Sequence, residues 1–128
     1  MKISVVDGLP FVDAVVTFDG REAALTHILL DTGSAGSILA ADLVAEIGVT
    51  YAPDDEVHRI RGVGGVEFVF AKAVDRLAVG DLQVSGFVIE VGAMDYGFAI
   101  NGILGMDFLM AVEAMIDLGA LKLTQQAT

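Results

Sequence analysis

Short apolar runs rich in Val, Ile and Phe recur along the chain, broken by Gly or Asp-Gly. A break every roughly 8–12 residues is the spacing of an all-β sandwich or barrel. Residues 12–18 and 23–30 flank Asp19-Gly20, a pair that tolerates the positive φ values of a two-residue turn, so they are predicted to form a hairpin. Further strands are predicted over residues 57–61, 66–79, 82–91, 114–118 and 121–123, with Gly80-Asp81 and Gly119-Ala120 as turns. These strands read as consecutive and mostly antiparallel. Two segments change period. Leu39, Leu43, Val44 and Ile47 share one helical face, with Ser37 as the predicted cap and Gly48 as the stop. Residues 106–111 form a second short helix, with Asp107 in the first turn where the helix dipole favours a negative charge. Pro10 and Pro53 are assigned to loops.

The length, 128 residues, fits one domain over residues 1–128, and 55% hydrophobic composition supports a packed core. Residues 96–106, the longest stretch without Asp, Glu, Lys or Arg, number 11, short of the roughly 18 apolar residues a membrane helix needs. No membrane partner is expected. A net charge of -11 lacks the cationic clusters that hold phosphate backbones, so no nucleic-acid partner is expected either. Cys is absent, which removes disulfides, thiol nucleophiles and thiolate metal sites. Nothing at the start reads as a secretory signal, so the expected location is cytoplasmic.

The candidate chemistry lies at Leu29-Leu30-Asp31-Thr32-Gly33-Ser34. A carboxylate directly after an apolar strand is costly to place, and Gly33 lets other backbone approach it. Alone, Asp-Thr-Gly is a weak signal, and its bland reading is a capping Asp in a turn. Two later features sharpen it: the glycine-rich tip Ile60-Arg61-Gly62-Val63-Gly64-Gly65-Val66, and Ile103-Leu104-Gly105 leading into the second helix.

In that order and spacing the three motifs resemble the retropepsin-like aspartic proteases, the single-domain relatives of pepsin, over roughly residues 12–123. The resemblance implies an all-β acid-protease half-barrel with one or two short helices. It implies that Asp31 is the catalytic carboxylate, that Thr32 hydrogen-bonds across a dimer, and that Gly33 lets the carboxylate accept backbone bonds. It also implies that the Ser34 hydroxyl can donate to the carboxylate and that Gly62, Val63, Gly64 and Gly65 form a flap over the substrate. Ile38, Val63, Ile103 and Leu104 are the expected lining of apolar substrate pockets. Where retroviral members carry Asp shortly after the motif and Arg after the later Gly, this chain has Ala35, Gly36 and Met106.

Peptide hydrolysis of this kind needs one carboxylate as general base and one carboxylic acid near the carbonyl oxygen. A chain with one such motif therefore requires a C2 homodimer with Asp31 of both copies on the axis. The expected partners are a second copy and a peptide or protein substrate; no metal and no organic cofactor is needed. The rival reading is a dimeric module of the same fold that grips extended peptides without cutting them. His27 reads as a strand residue, not a base, and His58 as exposed. Ser34 or Ser37 as a nucleophile with His27 lacks a third orienting group and the G-x-S-x-G context. Asp54, Asp55 and Glu56 read as a solvated loop without calcium-loop spacing.

Overall fold

A computed structural model of the chain describes residues 1–62, 65–95 and 99–126. Its elements are β1 (Ser4–Val6), β2 (Leu9–Phe18), β3 (Arg21–Leu30), β4 (Ile38–Ala40), α1 (Ala41–Val44) with a following 3-10 turn (Ala45–Ile47), β5 (Val57–Gly62), β6 (Gly65–Val79), β7 (Leu82–Gly92), β8 (Gly102–Leu104), α2 (Met106–Ala111), β9 (Ala114–Asp117) and β10 (Lys122–Gln125). The predicted hairpin is present as β2 and β3, and its turn takes positive φ at both Asp19 (52°) and Gly20 (77°). Pro10 lies inside β2, opposite Val5 of the short strand β1, and not in a loop.

Eight strands form one sheet in the order β1-β2-β3-β8-β4-β7-β6-β5, and an added pairing of β2 with β6 folds it back on itself. Strands β9 and β10 make a separate pair, against which the chain's own first residues lie: the Met1 ammonium donates to Leu123 O at 3.0 Å and Lys2 bridges to Lys122. The pairings are mostly antiparallel as expected, but the consecutive order fails at the centre. Strand β8 pairs in parallel with β3, and β4 pairs in parallel with β7 and antiparallel with β8. Such non-local pairings leave no mark on local periodicity.

The same pairing overrides the first predicted helix. Residues 38–40 enter the sheet as β4, so α1 starts only at Ala41, with Ala40 as its N-cap and no side-chain cap bond; Ser37 is not the cap. Gly48 does end the 3-10 turn, with φ 93°. The second helix occupies the expected residues.

Side chains pack in two clusters. The larger includes Val16, Ile28, Leu39, Leu77, Ile89, Leu104 and Phe108, and burying a ring such as Phe108 (0% exposed) contributes about 1.5–3 kcal/mol. The smaller contains Phe11, Ile38, Ala40, Val69, Met94 and Ile100, with Leu29, Ile60 and Ile103 packed against it. Because side chains alternate along a strand, β4 and β8 each contribute to both clusters.

Strand β3 carries a bulge. Between the pairs Val12–Ile28 and Ala14–Leu25, Thr26 and His27 stand opposite Asp13 alone, and His27 takes φ 61°. The extra residue is held from the side, since Asn101 donates its N–H to His27 O at 3.0 Å and its Nδ2 to Thr26 O at 2.8 Å. A bulge bends and re-aims the strand beyond it, here residues 28–30, which run along β8 up to Asp31.

Candidate active site

Strand β8 lies between β3 and β4, so residues 31–37 must arch over its end to pass from one neighbour to the other. Asp31 starts the arch, with its N–H donating to Leu104 O at 3.0 Å. Ser34 N–H donates back to Asp31 O at 3.2 Å, closing a tight turn. Within it Gly33 N–H donates to Asp31 Oδ1 at 2.9 Å, which aims the carboxylate. A side chain at position 33 would crowd that oxygen, since a Cβ there would lie 3.2 Å from Oδ1.

Thr32 and Gly33 are exposed at the tip of the arch. The Ser34 hydroxyl does not donate to the carboxylate: it donates to Gly36 O at 2.8 Å and braces the turn. That is the bland role of a turn serine, favoured because the Gly36 carbonyl lies two residues away on the same bend.

The arch is clamped from below by the start of α2. Met106 N–H donates to Ser34 O at 2.8 Å, and Asp107 N–H to Ala35 O at 3.2 Å. Ser37, the one buried polar residue among those described (1% exposed), receives a bond from Gly105 N–H at 2.9 Å. It donates its hydroxyl to Asp107 Oδ1 at 2.7 Å and its N–H to Oδ2 at 3.1 Å. Gly105 sits where the start of α2 touches the arch, because a Cβ there would lie 2.4 Å from Gly36 O and 2.8 Å from Ser34 O. The Ser37–Asp107 pair spans 70 residues, so sequence reading could see only a helix cap and a dipole effect at the two positions.

The expected lining residues separate. Ile38 and Ile103 are register partners across β4 and β8 and belong to the smaller cluster. Leu104, next along β8, turns to the other face and is 1% exposed in the main core, so it does not share their surface. Gly62 and Gly65 pair at the end of the β5–β6 hairpin, while Val63 and Gly64 lie outside the described residues. Ile60 on that hairpin packs on the cluster that holds Ile38.

His27 stacks on Phe11 with ring centroids 3.9 Å apart, which agrees with a strand role. His58 is half-buried, not freely exposed: Nε2 lies 3.6 Å from Glu56 Oε1 and Nδ1 3.7 Å from Glu90 Oε2. Asp55, expected in a solvated loop, is largely covered and pairs with Lys72 at 2.6 Å. The Lys72 ammonium, and then the Ala52 N–H, hold its carboxyl below the usual 3.8. No helix among the described residues is long and apolar enough to cross a membrane.

The sequence pattern of the aspartyl protease family matches residues 14–108, which takes in the Asp31 turn, the β5–β6 hairpin and the start of α2. The chain belongs to this family, in its retropepsin-like form, and its all-β sheet is the fold expected of such a member. No curated protein matches the chain closely.

Proposed function

We propose that the chain is an aspartic endopeptidase that works as a C2 homodimer, with Asp31 of two copies forming one catalytic pair. The observation that carries the reading is the Asp31 turn: a carboxylate at the end of a sheet strand, aimed by Gly33 N–H and clamped through residues 34–37 to α2. One carboxylate of the pair takes a proton from water while the other, protonated, donates to the carbonyl oxygen of the scissile bond. Like charges brought together favour a single shared proton, so the pair supplies both acid and base from identical residues. Exposed Thr32 is free to bond the matching turn of the second copy. The apolar surface at Met110, Met115, Ile116 and Leu118 offers area that a second copy can cover. Substrate lies extended between the Asp31 turn and the β5–β6 hairpin, with apolar side chains against Ile38 and Ile103.

The test is cleavage of a diverse peptide library on the acid side of neutrality by wild type and by Asp31→Asn. The near-isosteric amide can neither accept nor share the proton, so cleavage should disappear while fold and dimer persist. Specific activity should also fall on dilution. Full cleavage by Asp31→Asn, or by protein shown to be monomeric by sedimentation, would refute the shared site. Peptide binding without any cleavage would favour the binding-module reading.

A further inference from the structure

We propose that Glu90 determines specificity at this site by selecting peptides that carry a lysine or arginine side chain beside the scissile bond. The inference rests on the peptidase reading for the path of the substrate, and on the following geometry for the charge. Glu90 lies in β7 as the register partner of Ile38. Partners in parallel register project to the same face of a sheet, so its side chain shares the face of the smaller cluster, on which Ile60 and Ile103 are partly exposed beside Ile38. On the opposite face of β7, Ile89 and Val91 are sealed in the main core.

The carboxylate also stands against the catalytic arch. Gly36 has no side chain, and a Cβ there would lie 2.9 Å from Glu90 Oε1, so Glu90 supplies the polar group next to residue 36. Its own N–H donates to Ser37 O at 2.9 Å, which fixes the strand beneath it. Oε2 is buried and has no hydrogen-bond partner among the described residues, the His58 Nδ1 standing off at 3.7 Å. Leaving a buried acceptor unmatched is costly, and a bound donor would remove that cost.

The neighbouring imidazole does not neutralise the region. His58 is shared between Glu56 and Glu90, so even when protonated it leaves one negative charge over the three groups. Apolar walls with a carboxylate at their edge match a side chain with an aliphatic stem and a cationic head, which is the make-up of Lys and Arg. The chain's net charge of -11 further favours the approach of cationic peptides.

The experiment uses peptide sets identical except for lysine, norleucine or glutamate at each position flanking the cleaved bond. For wild type, one position should show kcat/KM roughly tenfold higher with lysine than with norleucine, as expected for one charge-assisted bond. Glu90→Gln should bring that ratio close to one, and Glu90→Lys should reverse it in favour of glutamate. Equal lysine-to-norleucine ratios in wild type and Glu90→Gln overturn the proposal. If Glu90→Gln fails to fold, Glu90→Met takes its place, and a wild-type lysine-to-norleucine ratio retained in that variant overturns the proposal. Binding of the same labelled peptides to Asp31→Asn by fluorescence anisotropy separates the two hypotheses. Lysine-selective binding beside a wild type that cuts nothing sinks the peptidase reading and keeps the subsite. Unselective binding beside active wild type sinks the subsite alone, and no binding with no cleavage sinks both.

Discussion

Replacing Asp107 by Asn alters one hydrogen bond of the clamp under the Asp31 turn and leaves its volume unchanged. Oδ1 accepts from the Ser37 hydroxyl at 2.7 Å and from Phe108 N–H at 2.7 Å, so the amide oxygen of Asn would keep that place. The amide NH2 then replaces Oδ2 and faces Ser37 N–H across 3.1 Å, donor against donor. Ser37 is 1% exposed, so water cannot reach its N–H, and an unsatisfied buried donor costs about 1–3 kcal/mol. For a chain of this size that lowers Tm by roughly 3–15 °C. Asp107→Ala frees the Ser37 N–H and O–H together and should cost about 2–6 kcal/mol, a large share of the roughly 5–15 kcal/mol that holds a typical domain. Because the clamp fixes residues 34–37, a shift of the turn should also lower kcat, by about tenfold to a hundredfold, at temperatures where the variant is fully folded. Thermal unfolding and peptidase kinetics on Asp107→Asn measure both effects. An unchanged Tm would refute the account of the Oδ2 bond, and a lowered Tm with unchanged kcat would show that the clamp stabilises the fold without positioning Asp31.

Gly105→Ala should disable the site more severely, because a Cβ 2.4 Å from Gly36 O must displace backbone; folded protein with wild-type kcat would contradict the packing described. The Lys72–Asp55 pair gives a stability change in acid. With its carboxyl held below 3.8, Asp55 stabilises the fold above that pH, and the contribution is lost as pH falls through the lower folded value. The Tm gap between wild type and Asp55→Asn should therefore be present at neutral pH and close below about pH 3.8; a gap that persists in strong acid would refute it.

Local patterning was enough to place the β2–β3 hairpin with its Asp19-Gly20 turn, the long strands β6 and β7, and α2, because each follows from neighbours in sequence: alternation, turn chemistry and helical spacing. The Asp31 turn was legible for a similar reason, since Gly33 acts on a carboxylate two residues away. Residues 38–40 show where this stops. Their spacing with Leu43 and Ile47 suits a helix, yet hydrogen bonds to β7 and β8 make them a strand, and those partners lie some fifty or more residues along the chain. The same distance hid Ser37 and Asp107 as a clamp, Leu104 as core and Glu90 as the carboxylate beside Gly36. The sequence by itself determined the strand-rich pattern, the charge and the Asp31 turn, which depend on bonds and contacts within a few residues. Tertiary structure alone decided the insertion of β8 between β3 and β4, the parallel pairings of β8 with β3 and of β4 with β7, and what lies under and beside Asp31, because those contacts form only when distant strands come into register.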